Sequence, residues 1–248
     1  MLNIIIIFIL GTAVGSFLNV LIDRLPKGEK ITGRSHCDYC KRKLRWYDLI
    51  PVASFFILKR KCRYCKKKLS LQYPVIEMLT GAIFLLIFNF QTISLLAIIC
   101  CLIVIFFSDL KYHLISDYIL LALFVFSFFY HLTTNFNLSQ LISIYFLSGI
   151  IVALPIFLIY FFSRERAMGL GDVYLTAIIS FLLGWQMGFL ALYIAFVTGA
   201  IVGLILIVLH RKKIKSRIAF GPFVVIGTII MLFWGERIFE IIKKIYGF

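Results

Sequence analysis

Apolar residues in this chain are gathered into long blocks, and those blocks restrict its fold more than any other feature of the sequence. A helix needs about 20 mostly apolar residues to cross a hydrocarbon core roughly 30 Å thick. Stretches near 3–22, 74–90, 92–107, 117–132, 140–162, 173–184, 187–209 and 218–242 meet or approach that length. Inside lipid a backbone N–H or C=O has no water to bond, so each stretch must pair its polar groups within itself, as a helix does. Composition agrees: 62% of the residues are apolar and 15% charged, against roughly 25% charged in an ordinary soluble domain. The expectation is an all-α polytopic membrane protein with about eight transmembrane helices. The block at 173–184 is short and that at 74–90 carries Glu77, so seven spans is the competing count. The first block is too long for a secretory signal, lacks a basic leading end and is followed by no small-residue cleavage site, so it is read as the first span.

Charge orients the spans. Between Asp23 and Tyr73 stand fifteen lysines and arginines, opposed only by Asp23, Glu29, Asp38 and Asp48, so this segment holds eleven of the chain's net +15. Further basic clusters are Arg164 with Arg166, and His210-Arg211-Lys212-Lys213 with Lys215 and Arg217. Loops rich in Lys and Arg stay in the cytoplasm. With eight spans, the loops at 23–73, 108–116, 163–172 and 210–217 share one side and contain every basic cluster except Lys243 and Lys244. That side is expected to be cytoplasmic and both termini external, dividing the chain into a first helix (1–22), a cytoplasmic basic loop (23–73) and a membrane domain (74–248). The basic excess suits anionic lipid headgroups; nothing resembling a nucleic-acid-reading module accompanies it. Gly11/Gly15 and Gly199/Gly203 have the spacing that lets helices pack closely.

Cys37-Asp38-Tyr39-Cys40 and Cys62-Arg63-Tyr64-Cys65 form two C-x-x-C pairs. Each pair can grip a metal from one tight turn, and two pairs complete a tetrahedral sulfur site, so the loop is expected to be a small zinc-ribbon-like domain with structural zinc on Cys37, Cys40, Cys62 and Cys65. A redox-active dithiol and two disulfides are the rival readings; a cytoplasmic location argues against stable disulfides. Cys100 and Cys101 lie inside an apolar block and read as packing residues.

Acidic residues at a span are costly, so each is a functional candidate. Asp109 closes the third block, in Ser108-Asp109-Leu110-Lys111-Tyr112-His113-Leu114-Ile115-Ser116-Asp117, and Asp172 ends Gly169-Leu170-Gly171-Asp172 where the sixth begins. The topology puts both carboxylates at the same membrane boundary. Two adjacent carboxylates cannot both ionise cheaply, so they share a proton; one activates water and the other protonates the carbonyl oxygen or leaving amine. The flanking glycines would let a backbone approach closely. The competing readings are an Asp172 that caps its helix and an Asp109 that is a solvated partner of Lys111.

The sequence resembles the bacterial type IV prepilin peptidases, Gly-x-Gly-Asp membrane aspartic peptidases. The resemblance runs through Gly15-Ser16-Phe17-Leu18-Asn19-Val20, Arg24-Leu25-Pro26, both C-x-x-C pairs, Asp48-Leu49-Ile50-Pro51-Val52, and Tyr73-Pro74 with Glu77. It continues in the Asp109–Asp117 stretch, Gly169-Leu170-Gly171-Asp172-Val173 and Phe220-Gly221-Pro222-Phe223. It implies two catalytic aspartates, carried to Asp109 and Asp172, with Gly169 and Gly171 supporting the second. Asp117 is the alternative to Asp109: the family tends to have proline before the later aspartate, where this chain has Ser116, and Ser116-Asp117 opens an apolar run as a helix cap does. The resemblance further implies cleavage of the basic leader from prepilins or pseudopilins at the cytoplasmic face of the bacterial inner membrane, in service of pili, secretion or DNA uptake. N-methylation of the new terminus from S-adenosylmethionine follows in many members. No residue is assigned to the methyl donor, and Glu77 is a weak candidate that a buried Lys or Arg partner would explain equally. A transporter would leave the cysteine pairs and Gly-x-Gly-Asp unexplained, and a thiol-redox protein would place its cysteines outside the cytoplasm.

Overall fold

The computed structural model describes residues 2–88, 92–134, 141–166, 168–210 and 218–246. The basic cluster at Arg211, Lys212, Lys213, Lys215 and Arg217 lies outside the described residues. Among the described residues there are helices, turns and isolated β-bridges but no strand. The helices are α1 (Leu2–Arg24), the short α2 (Ala53–Ile57), α3 (Gln72–Ile87), α4 (Ile93–Tyr112), α5 (Asp117–Thr133), α6 (Leu147–Ser163), α7 (Leu170–Leu183), α8 (Trp185–Val208) and α9 (Gly221–Tyr246). A π-helical turn, Leu141–Phe146, leads into α6. Each of the eight apolar blocks thus contains a helix. Four segments are long and apolar enough to cross a membrane, Asn3–Lys27, Ile93–Tyr112, Ile144–Ser163 and Trp185–Val208, while α3, α5 and α7 are shorter apolar helices.

Contacts divide the chain into two compact units, Met1–Val104 and Ile105–Phe248. In the first, α1 packs along α3. Between apolar helices in lipid there is little hydrophobic gain, so association depends on how closely backbones approach. A Cβ on Gly11 would stand 2.8 Å from the Gly81 Cα, and one on Gly15 2.8 Å from the Glu77 Cα. As one index rises by four the other falls by four, so the helices run antiparallel, with Gly11 and Gly15 facing α3. One turn further along, Asn19 spans the pair, its amide donating to the Tyr73 carbonyl at 3.2 Å.

In the second unit the fourteen-residue α7 touches α5, α6, α8 and α9. Val173, Leu175, Ile179 and Phe181 are buried along it, and Val173 joins Val152, Ala153, Ile156 and Leu192 in one core. The short α7 is thus held by its neighbours. Gly184, at φ 80, leaves no spacer before α8. The end of α7 exposes carbonyls with no partner in their own helix; the Phe181 carbonyl accepts from the buried His131 Nε2 of α5 at 3.1 Å. Buried hydroxyls turn back onto their own helices, Ser127 to the Leu123 carbonyl and Thr228 to the Val224 carbonyl, both at 2.7 Å, so they cost little.

Candidate functional site

The cysteine loop forms two hairpins that repeat each other at an offset of twenty-five residues. In the first, Cys37 donates its N–H to the Arg42 carbonyl at 3.0 Å and Lys41 returns one to the Cys37 carbonyl at 2.8 Å. In the second, Cys62 donates to Lys67 at 2.9 Å and Lys66 to Cys62 at 3.0 Å. The bridges His36–Lys43 and Lys61–Lys68 close them, and Lys41 and Lys66 both take positive φ. The signal was present in the sequence as Cys-x-Tyr-Cys-Lys-x-Lys-Leu, at 37–44 and again at 62–69, but reading only the cysteine spacing misses it. The hairpins also exchange partners: Arg42 lies 4.8 Å over the Tyr64 ring and Lys67 4.8 Å over the Tyr39 ring. Each basic side chain covers the tyrosine of the other hairpin, a pseudo-twofold arrangement held by cation–π attraction.

All four sulfurs meet at the centre, within 4.8 Å of one another, with Cys37 and Cys65 Sγ 3.8 Å apart. A tetrahedron with metal–sulfur bonds of about 2.3 Å has edges of about 3.8 Å, so this donor set fits a thiophilic tetrahedral ion. Burial pushes the Cys37 thiol up to about 11. At Cys62 burial acts the same way, but the N–H groups of Cys65 and Tyr64 and the neighbouring thiols outweigh it and hold the pKa at about 7. Asp48 braces the second hairpin: its carboxylate accepts from Arg63 Nε at 2.7 Å and from the Tyr64 hydroxyl at 3.4 Å. Cys100 and Cys101 lie within α4, away from this cluster in sequence and absent from the four-sulfur set.

Glu77 sits beside a cavity of about 170 Å³ in the same unit, which Asp23, Asp38 and Tyr73 also line. Its partners are not the lysine or arginine that one reading expected. Its Oε2 accepts the Val52 N–H at 2.7 Å, and the Ser16 hydroxyl bonds it as well. Val52, at φ 60, occupies a region costly for a β-branched residue, and the bond to Glu77 holds it there.

The second unit holds Asp109 and Asp172, each at a helix end. Asp109, in the last turn of α4, is 6% exposed, and its Oδ2 accepts the Gly221 N–H at 2.8 Å. Gly221 is the first residue of α9, so this N–H is one a helix leaves unpaired, at the end where its dipole favours negative charge. Half-buried Asp172 reaches back from the third position of α7 to accept the Gly169 N–H at 3.2 Å. The helix-capping role foreseen for it is therefore present. Gly171 packs on Ile115, where a Cβ would meet the Ile115 Cβ at 3.3 Å, so the turn after α4 lies against the Gly169–Asp172 turn. A Cβ at Gly169 would meet only Asp172 Oδ2, at 3.9 Å; with φ −88, neither backbone nor packing demands glycine there, and its smallness leaves the carboxylate open. Asp117 is exposed at the first position of α5, and Ser116 occupies the cap position expected for it.

Sequence profiles of the bacterial peptidase A24 N-terminal domain and of the type IV leader peptidase family match residues 9–90 and 96–204. A Legionella pneumophila protein named prepilin leader peptidase/N-methyltransferase is 31% identical over 94% of this chain and 92% of its own length. The chain belongs to the type IV prepilin leader peptidase family. Relatives of the same name from Bacillus subtilis and Myxococcus xanthus are 28% and 31% identical, covering 96% and 81% of this chain and 97% and 62% of their own lengths. No solved structure matches it significantly. The N-terminal match contains both cysteine hairpins and Glu77; the leader peptidase match contains Asp109, Asp117 and Asp172 but ends before Gly221. Gly221 is the residue that sequence reading left without a role, although Phe220-Gly221-Pro222-Phe223 was part of the resemblance.

Two outcomes are expected from this geometry. Purified protein should carry one thiophilic metal ion per chain by elemental analysis, lost on Cys62→Ser and kept on Cys101→Ala. Gly221→Ala would place a Cβ 2.6 Å from Asp109 Oδ2; forcing the carboxylate aside should lower leader cleavage by about 10²-fold, the order that a 1 Å misplacement costs, with the protein still inserted and its metal retained.

Proposed function

We propose that the chain hydrolyses the peptide bond joining the basic leader to the apolar helix of type IV prepilins or pseudopilins, with Asp109 and Asp172 as the catalytic pair. The observation that carries this reading is that α4 and α7, far apart in sequence, each bring a carboxylate to a helix end, and that the turn after α4 packs on the Gly169–Asp172 turn through Ile115 and Gly171. Closed on a substrate, two such groups hold one proton between them. The ionised member takes a proton from water as it attacks the scissile carbonyl, and the protonated member donates to the carbonyl oxygen. The tetrahedral adduct collapses as a proton passes to the departing amine. Gly169 leaves room beside Asp172 for an extended substrate backbone, and Asp117, exposed at the start of α5, is left out of the proposed pair.

The methyltransferase part of the relatives' name supports a second step, N-methylation of the new terminus, for which S-adenosylmethionine supplies the methyl group. Zinc is the metal proposed for the four cysteines; with four protein ligands the site is closed and serves the fold of the loop. The proposed topology keeps eight spans in the bacterial inner membrane, with the first at 1–22, the 23–73 loop and both catalytic aspartates cytoplasmic, and the membrane domain at 74–248. The charge distribution supports that orientation.

Asparagine keeps the shape and hydrogen bonding of aspartate but cannot exchange the proton. Asp109→Asn and Asp172→Asn should each lower prepilin cleavage in a reconstituted assay by about 10²- to 10⁴-fold. The double variant should be hardly worse than either, and Asp117→Asn should stay near wild type. Full activity in Asp172→Asn would end the aspartic mechanism. Orientation is read separately: an impermeant thiol reagent added to intact cells should fail to label Cys37, Cys40, Cys62 and Cys65 even after chelation. Ready labelling from outside would reverse the topology.

A further inference from the structure

The basic loop carries large apolar side chains in the wrong place for a domain surrounded by water. Trp46 is 77% exposed, Phe56 64% and Ile57 72%, and Leu49 and Ile50 are exposed as well. Phe55 is buried beneath them, so α2 does have an inward side, and Phe56 and Ile57 are on the other. The turn at Trp46–Asp48 and α2 are in contact, so these five residues come from two adjoining turns. Exposed cations border them in the chain on both sides: Arg45 immediately before Trp46, and Lys59, Arg60 and Lys61 beyond Leu58 at the end of α2. An aromatic and aliphatic patch with a basic rim is what lies in the interface of an anionic bilayer, the apolar groups among the acyl chains and the cations on the headgroups. Tryptophan itself favours that depth.

Charge complementarity also decides against other occupants. A basic leader peptide, or the same patch on a second copy of the chain, would bring positive charge against positive charge. The loop is tied at both ends, by α1, whose length and apolarity suit a span, and by α3, an apolar helix packed on it. A tethered surface meets the bilayer at a high effective concentration, so even modest affinity keeps it docked.

We propose that the face formed by Trp46, Leu49, Ile50, Phe56 and Ile57 docks on an anionic lipid surface and so seats the cysteine hairpins against the membrane. The proposal rests on reading the chain as membrane-embedded and is independent of the peptidase reading. Nanodiscs expose both leaflets, so the orientation of the loop does not enter its test.

The full chain carrying Trp185→Phe and Trp234→Phe leaves Trp46 as the only tryptophan. It is placed in nanodiscs of phosphatidylcholine with or without phosphatidylglycerol, with brominated acyl chains as quencher. Trp46 emission should be blue-shifted, and its quenching by the brominated chains should be at least about twofold stronger with phosphatidylglycerol. High salt, or Lys59→Glu with Arg60→Glu, should remove that gain. Should the double variant fold poorly, the difference between wild-type and Trp46→Phe spectra gives the same readout. Water-like emission, quenched by acrylamide equally in both discs, would overturn the proposal. Emission shielded from acrylamide yet untouched by brominated lipid would overturn it too, by showing that protein covers the face.

Discussion

Where a chain is this apolar, what it must solve is the fate of its backbone polar groups, because lipid offers them no partner. Helices solve it everywhere except at their ends, where several N–H and C=O groups stay unpaired. Five polar side chains of this protein are spent there or close by. Asp109 takes the N–H that opens α9, Asp172 the one at the cap of α7, and Glu77 that of Val52 at the cap of α2. Asp48 takes the Arg45 N–H that precedes the Trp46–Asp48 turn. His131 does the converse, donating to a carbonyl near the end of α7. A carboxylate at a helix start is stabilised by the hydrogen bond and by the dipole, which is how a chain with so few acids can keep several of them sheltered.

The same economy places both carboxylates of the proposed pair at helix ends. Asp109 closes one helix and rests on the start of another; Asp172 sits in the first turn of a third. The two carboxylates therefore lie among helix ends, where connecting turns can be small and open: Gly171 against Ile115, Gly169 beside Asp172, Gly221 against Asp109. Glycine matters at 221 because a side chain would occupy the place of the carboxylate oxygen, and at 171 because the Ile115 side chain is already there.

The cysteine hairpins follow a different logic. A segment with fifteen basic residues, several of whose large apolar side chains lie at the surface, has little core of its own, and the four sulfurs stand at its centre. Around it the duplicated hairpins hold each other by the crossed Arg42–Tyr64 and Lys67–Tyr39 contacts, while Asp48 offsets part of the positive charge through Arg63. The motif Asp48-Leu49-Ile50-Pro51-Val52 thereby acquires a physical reading: its first residue braces a hairpin, its last is anchored on Glu77, and its middle residues belong to the exposed apolar face.

Much of this was legible in the chain alone. Apolar block length is a local property, and each of the eight blocks holds a helix; the paired Cys-x-x-C spacing named the four sulfurs that meet; the Gly-x-Gly-Asp run and the acid at the end of the third block marked the two carboxylates of the proposed pair. What a linear reading could not reach were relations between distant segments. It could not tell that α7 packs against four other helices, or that Glu77 pairs with a backbone N–H and a hydroxyl rather than a cation. Nor could it tell that Ser116, one residue before Asp117, takes the cap position, or that Gly221 holds Asp109. The sequence by itself determined the helices and the chemical kinds of the site residues, because backbone satisfaction in lipid and ligand spacing act over a few residues. Which groups meet was decided only by the tertiary structure, because helix packing selects the pairs of helix ends that come within hydrogen-bond reach.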